Sequence, residues 1–460
     1  RRWLSWALLL PLAIPAYIIA YTYTGLLDFA GPVQTWIRDL TGLGYGDYWF
    51  FEIRSLGGAI VMMSLVLYPY VYLMARAAFL EQSVNSIEVG CSLGYSRWRA
   101  MWSLALPMAR PAIIAGLSLA LMETLADYGT VQYFGVSTFT TGIFRTFYGY
   151  GDMAAAAQLA ASLLAFVILL VLLERYSRRR ASYHSAAESR ARADLIPLTG
   201  TKAAMAVIAC SAPLIFGFII PATQLLFWAV FEAEPLGWDF VTLAWNSFSL
   251  AFLAAIIAVT LAIILSYAKR TKPIKPVRTV IAMAGFGYAL PGTIIAIGVL
   301  IPLAWADHSL IALFESLGWD SPGLLLSGSL VALLFAYTVR FLAVALGSVQ
   351  SGLEKIKPSL DHAGRSMGHN PLTLLRKIHV PLMRSSILTA LLIVFVDVLK
   401  ELPATLILRP FNFNTMAVRA YELASDERLV DAAPASIMIV LVGLIPVLML
   451  HASIARRRPH

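Results

Sequence analysis

The sequence is poor in charge. Of its 460 residues, 13% are Asp, Glu, Lys or Arg and 59% are hydrophobic, whereas soluble domains carry roughly a quarter charged residues. That balance excludes an ordinary water-soluble domain. Only two cysteines occur, Cys91 and Cys210. One falls in a polar loop and the other in an apolar run, so no disulfide is expected. Without a C-x-x-C or a His cluster, a structural metal is not indicated. H-E-x-x-H, a supported Ser/His/Asp arrangement and cofactor fingerprints are all missing. So is the G-x-x-x-x-G-K-[ST] phosphate loop, which removes the usual means of hydrolysing ATP. The net charge of +9 could suit a nucleic acid. Its positive residues, however, lie in short loops between apolar runs rather than along one solvated face, so no nucleic-acid partner is expected.

What the sequence does have is long apolar runs. A helix needs about 20 apolar residues to cross the hydrocarbon core of a bilayer. Ten segments qualify, at about 3–27, 54–80, 107–127, 154–174, 204–230, 247–268, 280–305, 324–349, 383–403 and 433–454. The fold class expected is therefore an all-α membrane protein, a polytopic helical bundle of about ten transmembrane helices. Pro11, Pro15, Pro291 and Gly292 fall inside these runs, which spanning helices tolerate where neighbours satisfy the freed carbonyls. The first run lacks a signal-peptide cleavage pattern and reads as a span.

Lys and Arg set the orientation. Segment 174–202 holds Arg175, Arg178, Arg179, Arg180, Arg190, Arg192 and Lys202, and loop 269–278 holds five basic residues and no acid. Segments 231–246 and 306–323 hold Glu232, Glu234, Asp239, Asp307, Glu315 and Asp320 and no Lys or Arg. Parity then puts both termini, the 174–202 linker and loops 81–106 and 350–382 in the cytoplasm.

The chain also repeats itself. The stretch Leu9–Ala20 resembles Phe286–Ala296, and Tyr70-Val71-Tyr72 resembles Tyr337-Thr338-Val339. A shift of 274 residues carries Gly90 onto Gly364, Ser92 onto Ser366, Gly94 onto Gly368, Pro107 onto Pro381 and Arg110 onto Arg384. Both copies keep one orientation, so the repeat is parallel. The organisation expected is a first half at 1–175, a cytoplasmic linker at 176–203 and a second half at 204–460. The first half has four spans against six in the second. With a start at Arg1, this points to an original chain carrying two more helices, or to an unequal design.

Each repeated loop reads as a short amphipathic helix, a glycine turn and a second short helix ending before a proline. Gly94 and Gly368 can supply a positive φ, and the small Gly90 and Gly364 allow close approach to another surface. Such a helix lying flat on one face is a ready contact for a partner.

The pattern of an acid, two small residues, a glycine four residues after the second, and a Leu-Pro beyond resembles the EAA loop of bacterial ABC importer permeases. In that family the loop forms the coupling helix that docks on the ATPase. On this resemblance Glu88 takes the acidic position, Gly90 the second small position, Gly94 the glycine and Pro107 the proline, with Val89 in place of the first alanine. In the second copy Ala363, Gly364, Gly368 and Pro381 match, but His362 stands where the acid belongs and Asp361 beside it could compensate. Two such loops in one polypeptide resemble fused permease halves. Within that group the stretches 123–130, 400–411 and 421–428 resemble ferric iron permeases, while thiamine, polyamine and sulfate permeases share the architecture.

The resemblance implies partners. They are an ABC ATPase dimer that binds ATP and Mg, a periplasmic or lipid-anchored solute-binding protein, and membrane lipid, with no cofactor held by this chain itself. It implies the bacterial inner membrane as the location and ATP-driven alternating access as the mechanism. An ion-coupled secondary transporter is the rival of another class, and it would not need two matched cytoplasmic loops.

Charges within spans are costly and functional. Glu123 and Asp127 lie four residues apart, on one face of a helix, and the 274 shift places Asp397 and Glu401 in the matching positions. Four carboxylates would then face the outer half of a central pathway, with Lys400 nearby. Hard oxygen ligands suit a hard trivalent cation, and a polyamine equally, but no metal site is assigned. The competing reading places the acids at the outer interface, paired or hydrated. Arg340, inside the eighth span, either lines the pathway or snorkels to the inner face.

Overall fold

In a bilayer, backbone groups must be satisfied within their own segment, which favours helices. Every regular element among the described residues is helical. The computed structural model of the protein describes residues 2–44, 46–81, 90–179 and 199–456. Eight of its helices are long and apolar enough to cross a membrane, and two bent pairs bring the number to ten if each counts as one span. The fold is thus an all-α polytopic bundle.

Several spans differ from the sequence expectation. The first is not straight. A 3₁₀ turn at Leu10–Ala13 leads to Pro15, the helix restarts at Ala16, and the two parts meet at 91°. The expected span 280–305 is broken in the same way. It divides into a helix Lys275–Ala284, a 3₁₀ turn Gly287–Ala289, Pro291 and a helix Gly292–Ser316 that carries the crossing. Proline has no N–H and clashes with a preceding turn, so each helix ends before it and restarts after it. The likeness of Leu9–Ala20 to Phe286–Ala296 therefore marks two matched breaks rather than two plain spans. The third span begins ten residues early, as Arg97–Ala126, and the sixth runs the 34 residues Trp238–Thr271. The expected span 383–403 begins at a bend of 77° between Pro371–Leu382 and Arg384–Leu399 and ends at Leu399.

Lipid offers no hydrophobic drive between helices, so close packing must hold them. Trp238–Thr271 buries Ala251, Ala254, Ala255, Ala258 and Ala262 along one face. That small-residue stripe lets the helix lie against Leu330–Glu354 and Arg384–Leu399, which also pack on each other. Phe252, Leu253, Ile256 and Ile264 on its other face are exposed, as expected of a lipid-facing surface. Leu56–Glu81 packs mainly on Leu106–Ala126. Contacts between Met153–Arg179 and Gly292–Ser316, and between Leu429–Arg456 and the Leu10–Ala13 turn, draw the early and late helices into one core. Cys91 and Cys210 are free thiols. Most of the linker expected at 176–203, residues 180–198, lies outside the described residues.

Candidate functional site

The second repeated loop meets the start of the basic loop 269–278 through the Arg270–Asp361 ion pair. Each repeated loop begins as a helix closed by glycine. Gly94 has φ +86° and Gly368 φ +79°, in the left-handed region that other residues rarely adopt. Around them the bonding is the same. Tyr95 N–H donates to the Gly90 carbonyl at 3.0 Å and Gly94 N–H to Cys91 at 3.0 Å; His369 donates to Gly364 at 3.1 Å and Gly368 to Arg365 at 2.9 Å. Both are Schellman closures, a 6→1 bond beside a 5→2 bond. The next short helix is capped in each loop, by Ser96 Oγ on Arg99 N–H and by Asn370 Oδ1 on Thr373 N–H. A π-turn follows in each, Met101–Ala105 and Leu375–His379. All of these features recur at the 274 spacing.

The small residues also act where expected, although not on an outside partner. A Cβ on Gly90 would come within 2.9 Å of Ala100 and Leu104, and one on Gly364 would collide with Leu374 and approach Ile378. The close approach is therefore within each loop, between its two short helices. His362, Ala363, Gly94 and Gly368 are exposed, together with Leu93 and Met367 just before the glycines. Pro107 and Pro381 do not end the second helix, as expected, but lie one residue inside its continuation. The π-turn before each proline absorbs the missing N–H. In the first copy the helix then runs unbroken to Ala126, whereas the second bends at Met383. Glu88 lies outside the described residues.

Asp361 does not stand in for the missing acid at His362. Its carboxylate accepts from Arg270 Nε at 2.7 Å and lies 2.6 Å from His379 Nε2, while Arg270 also donates to the Leu353 and Ile356 carbonyls at 2.7 and 2.9 Å. Burial pushes the Asp361 carboxyl up, but the hydrogen bonds and charges of Arg270 and His379 outweigh it and hold the group below the usual carboxylate range. The acid ties the second loop to the end of Trp238–Thr271 and is not available to a partner. Sequence reasoning missed this clasp because its members lie 91 and 18 residues apart. At the matching positions of the first loop stand Ile87 and Ala105, which cannot form it.

In the bundle interior, Glu123, Asp127, Asp397, Glu401 and Arg340 do converge. They line one cavity of about 130 Å³ together with Pro15, Tyr17, Tyr70, Tyr288 and Lys400. The expected helix faces are not what brings the acids there. Leu106–Ala126 and Arg384–Leu399 end before Asp127 and Glu401, so the second acid of each pair sits in a turn. Asp127 accepts from the Thr130 and Val131 amides, each at 3.1 Å, and from the Thr130 hydroxyl at 2.9 Å. Glu401 accepts from the Ala404 and Thr405 amides at 2.9 and 3.0 Å and from the Thr405 hydroxyl at 2.7 Å. Both therefore cap short helices, Gly129–Tyr133 and Pro403–Leu408. A visible signal was the Thr three or four residues after each acid.

Arg340 does not snorkel. Its Nη1 lies 3.1 Å from Glu401 Oε1, and the two side chains are 11% and 2% exposed. A Cβ on Gly292 would strike this pair, so the glycine at the Pro291 break makes room for it. One turn deeper, Asp397 pairs with Lys400 at 2.9 Å. Glu123 has no hydrogen bond or ion pair among the described residues. Tyr70 lies beside Tyr288 within reach of the charges of Glu123, Asp397 and Lys400. No group of three His, Cys, Asp or Glu among the described residues is placed to hold a metal. The cavity lining carries four carboxylates against one guanidinium and one ammonium.

Residues 1–183 match the family model described as the binding-protein-dependent transport system inner membrane component. The Fe(3+)-transport system permease protein FbpB 2 of Haemophilus influenzae is 25% identical over 449 residues, 96% of this chain and 81% of the relative. The ferric transport system permease protein FbpB of Actinobacillus pleuropneumoniae is 22% identical over 461 residues, covering 94% of this chain and 63% of the relative. The molybdenum transport system permease protein ModB of Haemophilus influenzae is 25% identical over 166 residues, 36% of this chain and 69% of the relative.

Proposed function

We propose, from the premise that this chain is an ABC importer permease of the multi-pass inner-membrane kind and most like the ferric-transport group, that it passes ferric iron from a solute-binding protein to the cytoplasm. ATP hydrolysis on separate ATPase subunits drives it. The basic loops lie on the cytoplasmic side, with both termini there, and the chain is two parallel halves joined by the 176–203 linker.

The observation that carries this reading is a mechanical one. Each repeated loop leads directly into the helix whose far end borders the carboxylate cavity. The first connection, Arg97–Ala126, is a single 30-residue helix, roughly 45 Å long at 1.5 Å per residue. Displacing the loop moves the Glu123 and Asp127 end with it. The second connection passes through the bend at Met383, so the same push there rotates Arg384–Leu399 about that point. Two ATPase subunits closing beneath the loops would rock both cavity walls, and the cavity would open alternately to each side.

The ferric reading is favoured over oxyanion import by charge. The cavity holds Glu123, Asp127, Asp397 and Glu401 against Arg340 and Lys400, an excess of acid that repels sulfate or molybdate. Thiamine and polyamines, being cations, remain alternatives on this ground. Two experiments test the proposal. Detergent-solubilised permease should capture a nucleotide-binding subunit, which an ion-coupled transporter would not. Expression in an iron-uptake mutant should restore growth on limiting ferric iron and leave thiamine, polyamine and sulfate auxotrophs unrescued. Rescue of one of those strains alone would remove iron as the cargo.

A further inference from the structure

The cavity's charges are not distributed as the repeat alone would place them. Asp127 is satisfied by two amides and a hydroxyl, and Glu401 by two amides, a hydroxyl and Arg340. These two are fixed parts of the wall. Glu123 and Asp397, one turn deeper, face the same space with Tyr70 beside them. Lys400 lines the same cavity, its ammonium 2.9 Å from Asp397 and its side chain 31% exposed. The 274 spacing puts Ala126 opposite Lys400, so the ammonium is not part of the duplicated scaffold. A second feature points to an incoming ligand. Tyr17, which lines the same cavity on the side of Asp127 and Glu401, is only 5% exposed, and its hydroxyl has no hydrogen-bond partner among the described residues. A buried polar atom without a partner is costly unless something transiently fills the role.

We propose that Lys400 is a resident counter-cation: its ammonium occupies, between transport cycles, the position among Asp397, Glu123 and Tyr70 that the cargo cation takes in passing. Two carboxylates and a phenol lining one cavity are hard oxygen ligands, suited to a hard cation such as ferric ion. Left without a counter-charge they would hold such an ion too tightly to release it, and a pathway must bind weakly enough for the ion to leave. The tethered ammonium offsets one of the two carboxylate charges at that level and competes with the ion once it has arrived. It swings aside on entry and returns to Asp397 on release. Lys400 is then a specificity-determining residue, setting how much positive charge an ion must bring in order to displace it. This inference rests on the iron-permease reading of the same cavity.

The test is retention of metal by the purified full-length chain in lipid nanodiscs, without ATPase, after exposure to ferric nitrilotriacetate and gel filtration. Wild type and Lys400→Arg should retain little iron. Lys400→Met should retain at least about tenfold more, because a like charge a few ångströms from the ion has been removed. The double variant Lys400→Met/Glu123→Gln should fall back towards wild type. Should Lys400→Met fail to accumulate in the membrane, Lys400→Gln, which can still donate to Asp397, takes its place. Spermidine run in parallel separates the two ideas. Extra retention of spermidine and not of iron would keep the counter-cation and refute ferric cargo. No extra retention of either cation by the neutral variants would overturn the counter-cation, whatever the growth assays show about iron.

Discussion

Replacing Glu401 and replacing Glu123 should produce opposite phenotypes, although both acids line one cavity. Glu401 is 2% exposed in its side chain, pairs with Arg340 at 3.1 Å and caps Pro403–Leu408 through two amides. Glu401→Gln keeps an acceptor oxygen for the cap but leaves Arg340 as a buried, unpaired cation. Breaking a buried pair in this way costs about 3–5 kcal/mol, a large part of a typical folding free energy of about 5–15 kcal/mol. Membrane abundance and thermal stability in detergent should therefore fall sharply. Arg340→Met should cost less, because the amides and the Thr405 hydroxyl still stabilise the carboxylate. The double variant should be more stable than the sum of the singles implies. Glu123→Gln breaks no described contact, so abundance and basal ATPase activity should stay near wild type while uptake falls, and Asp397→Asn should lower uptake similarly. The measurement is a double-mutant cycle on thermal unfolding, read beside transport per molecule. A Glu401→Gln permease as stable as wild type, or a Glu123→Gln permease lost from the membrane, would refute this division of the acids.

Other consequences follow at the loops. Gly94→Asp and Gly368→Asp each force a left-handed residue to carry a side chain, at about 1–2 kcal/mol of local strain, and should weaken co-purification of the ATPase without preventing insertion; unchanged substrate-stimulated ATPase activity in both would count against coupling. Glu88→Ala should impair transport more than His362→Ala, and equal losses would show that the acidic position does not distinguish the loops. Asp361→Asn should loosen the second loop, measured as faster proteolysis there. Because the folded carboxyl is held below its usual value, its contribution is complete above about pH 4 and is lost only as pH falls through that lower value. Loop protection in the wild type should thus be flat between neutral and mildly acidic pH, and a loss centred near pH 6 would contradict the assignment.

The number of spans and the two glycine loops were legible in the sequence, because both depend on local signals. Apolar length sets a crossing, and Gly94 and Gly368 are needed wherever φ is positive. The π-turns before Pro107 and Pro381 follow from proline chemistry but were not foreseen, since that chemistry allows a helix either to stop or to adjust. The breaks at Pro15 and Pro291 were read as tolerated prolines, for hydropathy averages over a bend. Asp127 and Glu401 were assigned to helix faces by spacing, and the helices end just before them. Arg340 with Glu401, and Arg270 with Asp361, are 61 and 91 residues apart. Such pairs are set by how the helices pack, which one sequence does not display.

The most direct test of the account is uptake into proteoliposomes holding the permease, its ATPase and its solute-binding protein, with radiolabelled ferric iron outside. The account predicts accumulation that requires ATP, the ATPase and the binding protein, and that survives collapse of proton and sodium gradients. Accumulation without the ATPase that disappears with an ion gradient, or ATP-driven uptake of another solute with no iron movement, would contradict it.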